Sequence, residues 1–143
     1  MPKTTKTSRK ALDPLSKLGE LIMLRLRDRA IDYADGLTRG HWKAPALESV
    51  QATLELRDRR QRAAVTRCVT ESIDAAIHDF LFALQERADF EADIQVLVDG
   101  KDVVGLSDGI HAEPCGPGGW RARFSAHPPK VPRSAGRGRA RPK

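Results

Sequence analysis

Only two cysteines occur among the 143 residues, Cys68 and Cys115, and neither lies in a CxxC or other metal-ligand spacing. A disulfide framework is therefore ruled out, a single bridge between the two is left open, and a reducing cytoplasm is the expected setting. Long apolar runs are also missing: the richest early stretch, LGELIMLRLR, is broken by Arg25 and Arg27, well before it could span a bilayer. The N-terminus MPKTTKTSRKALDPL lacks the apolar segment of a secretion signal, so neither export nor a membrane partner is expected. The glycines never fall into G-x-G-x-x-G or G-x-x-x-x-G-K-[ST] order, which gives a nucleotide-phosphate cradle no support. His41, His78, His111 and His127 make no HxxxH or HExxH pair, and no metal or cofactor is expected.

Charge is plentiful and unevenly placed. The formal net charge is +6, yet the first ten residues hold four basic groups and residues 128–143 hold six, with no acid in either segment. Positions 11–127 then carry fifteen basic against all nineteen acidic residues, so the body is formally negative and the basicity belongs to the ends. Residues 1–11 and 127–143 are rich in Lys, Arg, Pro, Gly and Ser and too poor in large apolar side chains to offset the entropy of ordering. They read as disordered basic tails around a single domain over 12–126, which the 40% apolar content suffices to fill.

Within that domain Leu15, Leu18, Ile22, Leu26, Tyr33 and Leu37 recur at three- or four-residue steps, predicting one long helix from about 13 to 38 with Pro14 in its first turn. Pro45, Leu47, Val50 and Leu54 give a short second helix. Asp58 and Gln61 have the spacing of a capping box, so a long central helix is placed to start near Arg59, with Val65, Val69, Ile73, Ile77, Phe80, Leu81 and Leu84 as its core stripe. The period then changes. IQVLVDGKDVVGL reads as two strands joined by Asp99-Gly100, with Val98 opposite Lys101 and Val96 opposite Val103. WRARFS alternates Trp120, Ala122 and Phe124 with polar residues and predicts a third strand. The expected fold is α+β: about three helices followed by a small three-stranded antiparallel meander.

Several residues invite chemistry. In DAAIHDFLFALQERAD, His78 and Phe82 are one turn apart on the side away from the main stripe. Asp79, about 100° further round the helix, is not placed to pair with His78, so a catalytic His-Asp dyad is not expected. Covering of Phe82 by the meander is the favoured reading over an exposed patch. In the loop, His111, Glu113 and Cys115 would share one side of an extended backbone, but the Pro/Gly-rich surroundings favour an ordinary connection. No basic neighbour in the sequence marks Cys115 as a reactive thiol, and Cys68 reads as a packing residue. Trp42, in GHWKAP, reads first as an anchor for the turn before the second helix. Arg57, Arg59, Arg60, Arg62 and Arg67 read as a solvated surface paired with Glu55, Asp58 and Glu71.

The function expected from this pattern is that of a small cytoplasmic non-enzymatic binding protein, such as an inhibitor, immunity-type or accessory protein. Its protein partner would meet His78, Phe82, Trp42, His111 and Glu113. One alternative is a nucleic-acid accessory protein, whose tail residues Arg133, Arg137, Arg139 and Arg141 would hold phosphates weakly and without sequence preference. A metal protein or enzyme using the 107–119 loop is the remaining alternative.

Overall fold

In the computed structural model, residues 11–54 and 58–130 are described. The elements are α1 (Pro14–Ile22), a π turn (Met23–Arg27), α2 (Asp28–Thr38), α3 (Pro45–Leu54), α4 (Arg59–Glu86), a second π turn (Arg87–Glu91), β1 (Leu97–Val98), β2 (Lys101–Asp102), two 3-10 turns (Val104–Leu106 and Ile110–Ala112) and α5 (Trp120–Phe124). The fold is α+β in the broad sense, mostly helical with one small antiparallel hairpin.

The first helix begins where Asp13 accepts a hydrogen bond from the Ser16 N–H at 3.0 Å, with Pro14 at its first position. The chain is helical through residue 38 but not one uniform α-helix, because the π turn at 23–27 widens it. The predicted stripe is also offset. Leu26 and Tyr33 are exposed, and the innermost line runs through Ser16, Gly19, Met23, Arg27, Ile31, Ala34 and Thr38, one residue beyond the leucines at the start of the helix. Small and charged residues thus occupy the face that packs on the rest of the protein.

The core is small. Met23, Ile77, Leu81, Val103, Val104, Ile110 and Trp120 form its buried centre, bordered by Leu15, Leu18, Ile22, Ile73, Leu84, Val96, Val98 and Phe124. On α4 only Ile77 and Leu81 are fully buried, and Phe80, expected in the stripe, is 59% exposed. The capping box forms as expected: Asp58 accepts from the Gln61 N–H at 2.9 Å and the Gln61 side chain accepts from the Asp58 N–H at 3.3 Å.

The hairpin has the expected register, Val98 opposite Lys101, and the Val103 N–H donates to Val96 O at 3.0 Å. Asp99 and Gly100 both have positive φ, 51° and 74°, as a two-residue type I′ turn requires. The predicted third strand is not formed. Trp120–Phe124 is one helical turn, α5, started by the Trp120 N–H donating to Glu113 O and the Arg121 N–H to Pro114 O. Trp120 and Phe124 are spaced i, i+4, so one helix face satisfies the same apolar pattern as a strand.

Beyond α5 the chain is fastened to α2. Arg27, 2% exposed, donates from Nη1 to Ser125 Oγ and His127 O, both at 2.8 Å. Its Nε and Nη2 form a fork on Asp74 at 2.6 and 3.1 Å. Buried Asp28 accepts from Ser125 Oγ at 2.5 Å and from the Ala126 N–H at 2.7 Å, and His127 Nε2 lies 2.8 Å from Asp32. This clasp reaches one residue past the domain boundary read from the sequence.

Candidate functional site

The 3-10 turn Ile110–Ala112 carries His111 to α4. Ile110 is fully buried, and its N–H donates to the Gln85 side chain of α4 at 3.2 Å. Held this way, the His111 ring stands edge-on to two rings of α4: its centroid is 5.4 Å from His78 and 5.2 Å from Phe82, at interplanar angles of 85° and 80°. His78 and Phe82 are stacked with centroids 6.5 Å apart. Three rings from two elements therefore form one cluster with the edge-to-face geometry that aromatic pairs favour.

The cluster is at the surface. Phe82 is 43% exposed, so no strand layer covers it and the sandwiched reading of this helix fails. The hairpin is too short and lies against α1, while the loop brings a ring only to the edge of Phe82. The His78 side chain is half exposed, with Nδ1 3.2 Å from Asp79 Oδ1. That contact corrects the expectation from helix geometry: both side chains are free enough at the surface to swing toward each other. The Nδ1 of His111 is enclosed and has no hydrogen-bond partner among the described residues, a position that polar atoms rarely occupy without a reason.

The other expected contact residues lie elsewhere. Glu113 accepts from Ser107 Oγ at 2.7 Å and closes its own loop. Trp42 packs against Tyr33 and His41, with ring centroids at 5.1 Å in both cases, while Gln51 donates to its carbonyl and accepts from its N–H at 2.9 Å. Trp42 is thus the anchor of the α2–α3 connection. The tail arginines Arg133, Arg137, Arg139 and Arg141 lie outside the described residues.

His111, Glu113 and Cys115 do not converge, because residues 110–112 turn instead of extending. Cys115 Sγ receives a hydrogen bond from Arg121 at 3.4 Å, a basic neighbour that the sequence spacing did not mark. Among the described residues no group of three His, Cys, Asp or Glu side chains could hold a metal ion. Cys68 and Cys115 are both free and exposed, so Cys68 is not the packing residue expected. Arg57 and Glu55 lie outside the described residues; Arg59, Arg60, Arg62 and Arg67 form no ion pair with a described residue, and Asp58 serves as the helix cap.

Sequence reasoning missed the arginine-aspartate cluster behind the clasp. Arg121 Nη1 donates to Asp74 Oδ2 at 3.1 Å, so Asp74 lies between two guanidiniums. Burial works to raise the Asp74 carboxyl, but hydrogen bonds and charge from Arg27 and Arg121 outweigh it and hold the group below its usual value. Among the described residues no helix is long and apolar enough to cross a membrane. No family model, curated protein or solved structure matches the chain.

Proposed function

We propose that the protein is a small cytoplasmic non-enzymatic binding protein whose partner is another protein, met through the His78–Phe82–His111 face. The observation that carries this reading is the ring cluster: residues from α4 and the 107–119 loop converge on a surface where Phe82 stays 43% exposed. Aromatic and imidazole groups concentrate contact area in few rotatable bonds, which suits the centre of a protein interface. The face is also held in place, because the adjoining Ile110 is a core residue and its N–H is bound to Gln85. Preorganisation of this kind lowers the ordering cost of association. The free, exposed thiols agree with a reducing compartment.

The test is affinity capture from the source cell with wild type, Phe82→Ala and Phe90→Ala. Phe90 is 84% exposed on the π turn after α4 and serves as a control apolar residue. A partner retained by wild type and Phe90→Ala and lost by Phe82→Ala is expected. Equal recovery by all three, or recovery of no partner, counts against this face.

A further inference from the structure

We propose that a second copy of this chain docks on the outer face of α1, the two helices packing antiparallel across a twofold axis. The site is the shallow groove between α1, the π turn that follows it and β1, where Leu18, Leu21, Leu24 and Val98 lie beside Glu20 and Arg25. It shares no residue with the His78–Phe82–His111 cluster, and the dimer does not depend on the binding proposed there.

The helical run turns Gly19, Met23 and Arg27 inward, which leaves Leu21 and Leu24 on the outside, 58% and 39% exposed. The two leucines are three residues apart, with Glu20 four before Leu24 and Arg25 four after Leu21. Residues at these spacings are neighbours on a helix surface. The four side chains therefore make one patch, with an acid at one end, a base at the other and two leucines between.

Their order selects the occupant. In ELIMLR, residues 20–25, the outward-facing positions read acid, leucine, leucine, base. A twofold axis passing between Ile22 and Met23 lays that order on its own complement. Glu20 of each copy then faces Arg25 of the other, and Leu21 faces Leu24, so every contact occurs twice, as an isologous interface requires. Within one chain Glu20 and Arg25 form no ion pair with a described residue. Lys17, the other charge in the groove, is already paired with Asp99 of the hairpin. The leucines supply the buried area, and the charges fix the antiparallel direction. One helix pair with a hairpin edge is small for a specific interface, so association is expected in the micromolar range.

Sedimentation velocity of the full chain at low salt, over about 1–500 µM, tests the dimer. A monomer–dimer equilibrium is expected. Glu20→Arg and Arg25→Glu each set like charges against one another at both contacts, and each should weaken association at least about tenfold. An equimolar mixture of these two variants regains wild-type association, because each contact then pairs an acid with a base; the double variant does the same. Leu21→Ser weakens the dimer, whereas Leu106→Ser, at an exposed leucine outside the groove, leaves it unchanged. A monomer at every concentration overturns the proposal, as does a dimer that survives both charge changes and Leu21→Ser. Variants that keep the wild-type circular dichroism yet fail to recover association in the mixture overturn it too. So does a wild-type chain that stays monomeric alone and uses this face only on anionic vesicles or on a different protein.

Discussion

Two tryptophans rest on two glycines of the same helical run. A Cβ on Gly19 would stand 2.5 Å from the Trp120 ring, and one on Gly36 would stand 2.8 Å from Trp42 Nε1. Trp120 is fully buried and cannot retreat, whereas Trp42 is half-buried in a connection. Gly19→Ala is therefore expected to destabilise by about 1–3 kcal/mol despite its gain in helix propensity, and Gly36→Ala by less; urea denaturation ranks them. Asp74 supplies a second test. Because its folded-state pKa is depressed, its contribution is present above the unfolded value of about 3.9 and is lost as pH falls below it. Asp74→Asn removes the charge and one of the two acceptors that hold the buried Arg27 fork, and is expected to cost about 3 kcal/mol at pH 7. Its loss of stability on acidification should be shallower than that of wild type, though not absent, since Asp13 is also held low by its hydrogen bonds to Ser16. Superimposable acid limbs would contradict this role. Trp42 was legible as an anchor of its turn, but the Gly19–Trp120 contact and the Asp74 pairs were not, because periodicity marks apolar positions and the innermost line of the first helix contains Gly19 and Arg27.

At the scale of elements, local chemistry was the readable part. The Asp58–Gln61 capping box and the Asp99-Gly100 turn are set by short-range backbone needs, and both form where the spacing places them. Asp58→Ala is expected to cost about 1 kcal/mol. Amides early in α4 should exchange faster while those near Ile77 and Leu81, held by the core, stay protected; uniform acceleration along the helix would contradict this division. What depends on tertiary docking was not readable. WRARF fits a strand or a helical turn equally well in isolation, and the hydrogen bonds to Glu113 and Pro114 decide for the helix. Likewise, nothing local shows that the π turn at Met23–Arg27 brings Arg27 inward and leaves Leu24 and Leu26 outside.

For the whole molecule, the clasp fastens the C-terminal end of the described chain to the middle of the first helical run, at Arg27, Asp28 and Asp32. Truncation after Phe124 removes Ser125, Ala126 and His127, the partners of buried Arg27 and Asp28, whereas truncation after Lys130 keeps them. The shorter protein is expected to be less stable than the longer by at least about 2 kcal/mol; equal midpoints in thermal and denaturant melts would show that the clasp carries no stability. The candidate site was legible in part. His78 and Phe82 follow from helical spacing, and His111 was singled out in its loop, but only the docking of Ile110 beside α4 brings His111 to the other two. Trp42 and Glu113 were grouped with them by residue type and are separated by the fold. The claim that this ring cluster is the contact face is tested most directly by hydrogen exchange on the purified complex with a captured partner. Protection on binding is expected over residues 78–82 and 109–113. Protection confined to other segments, with these two unchanged, would contradict it.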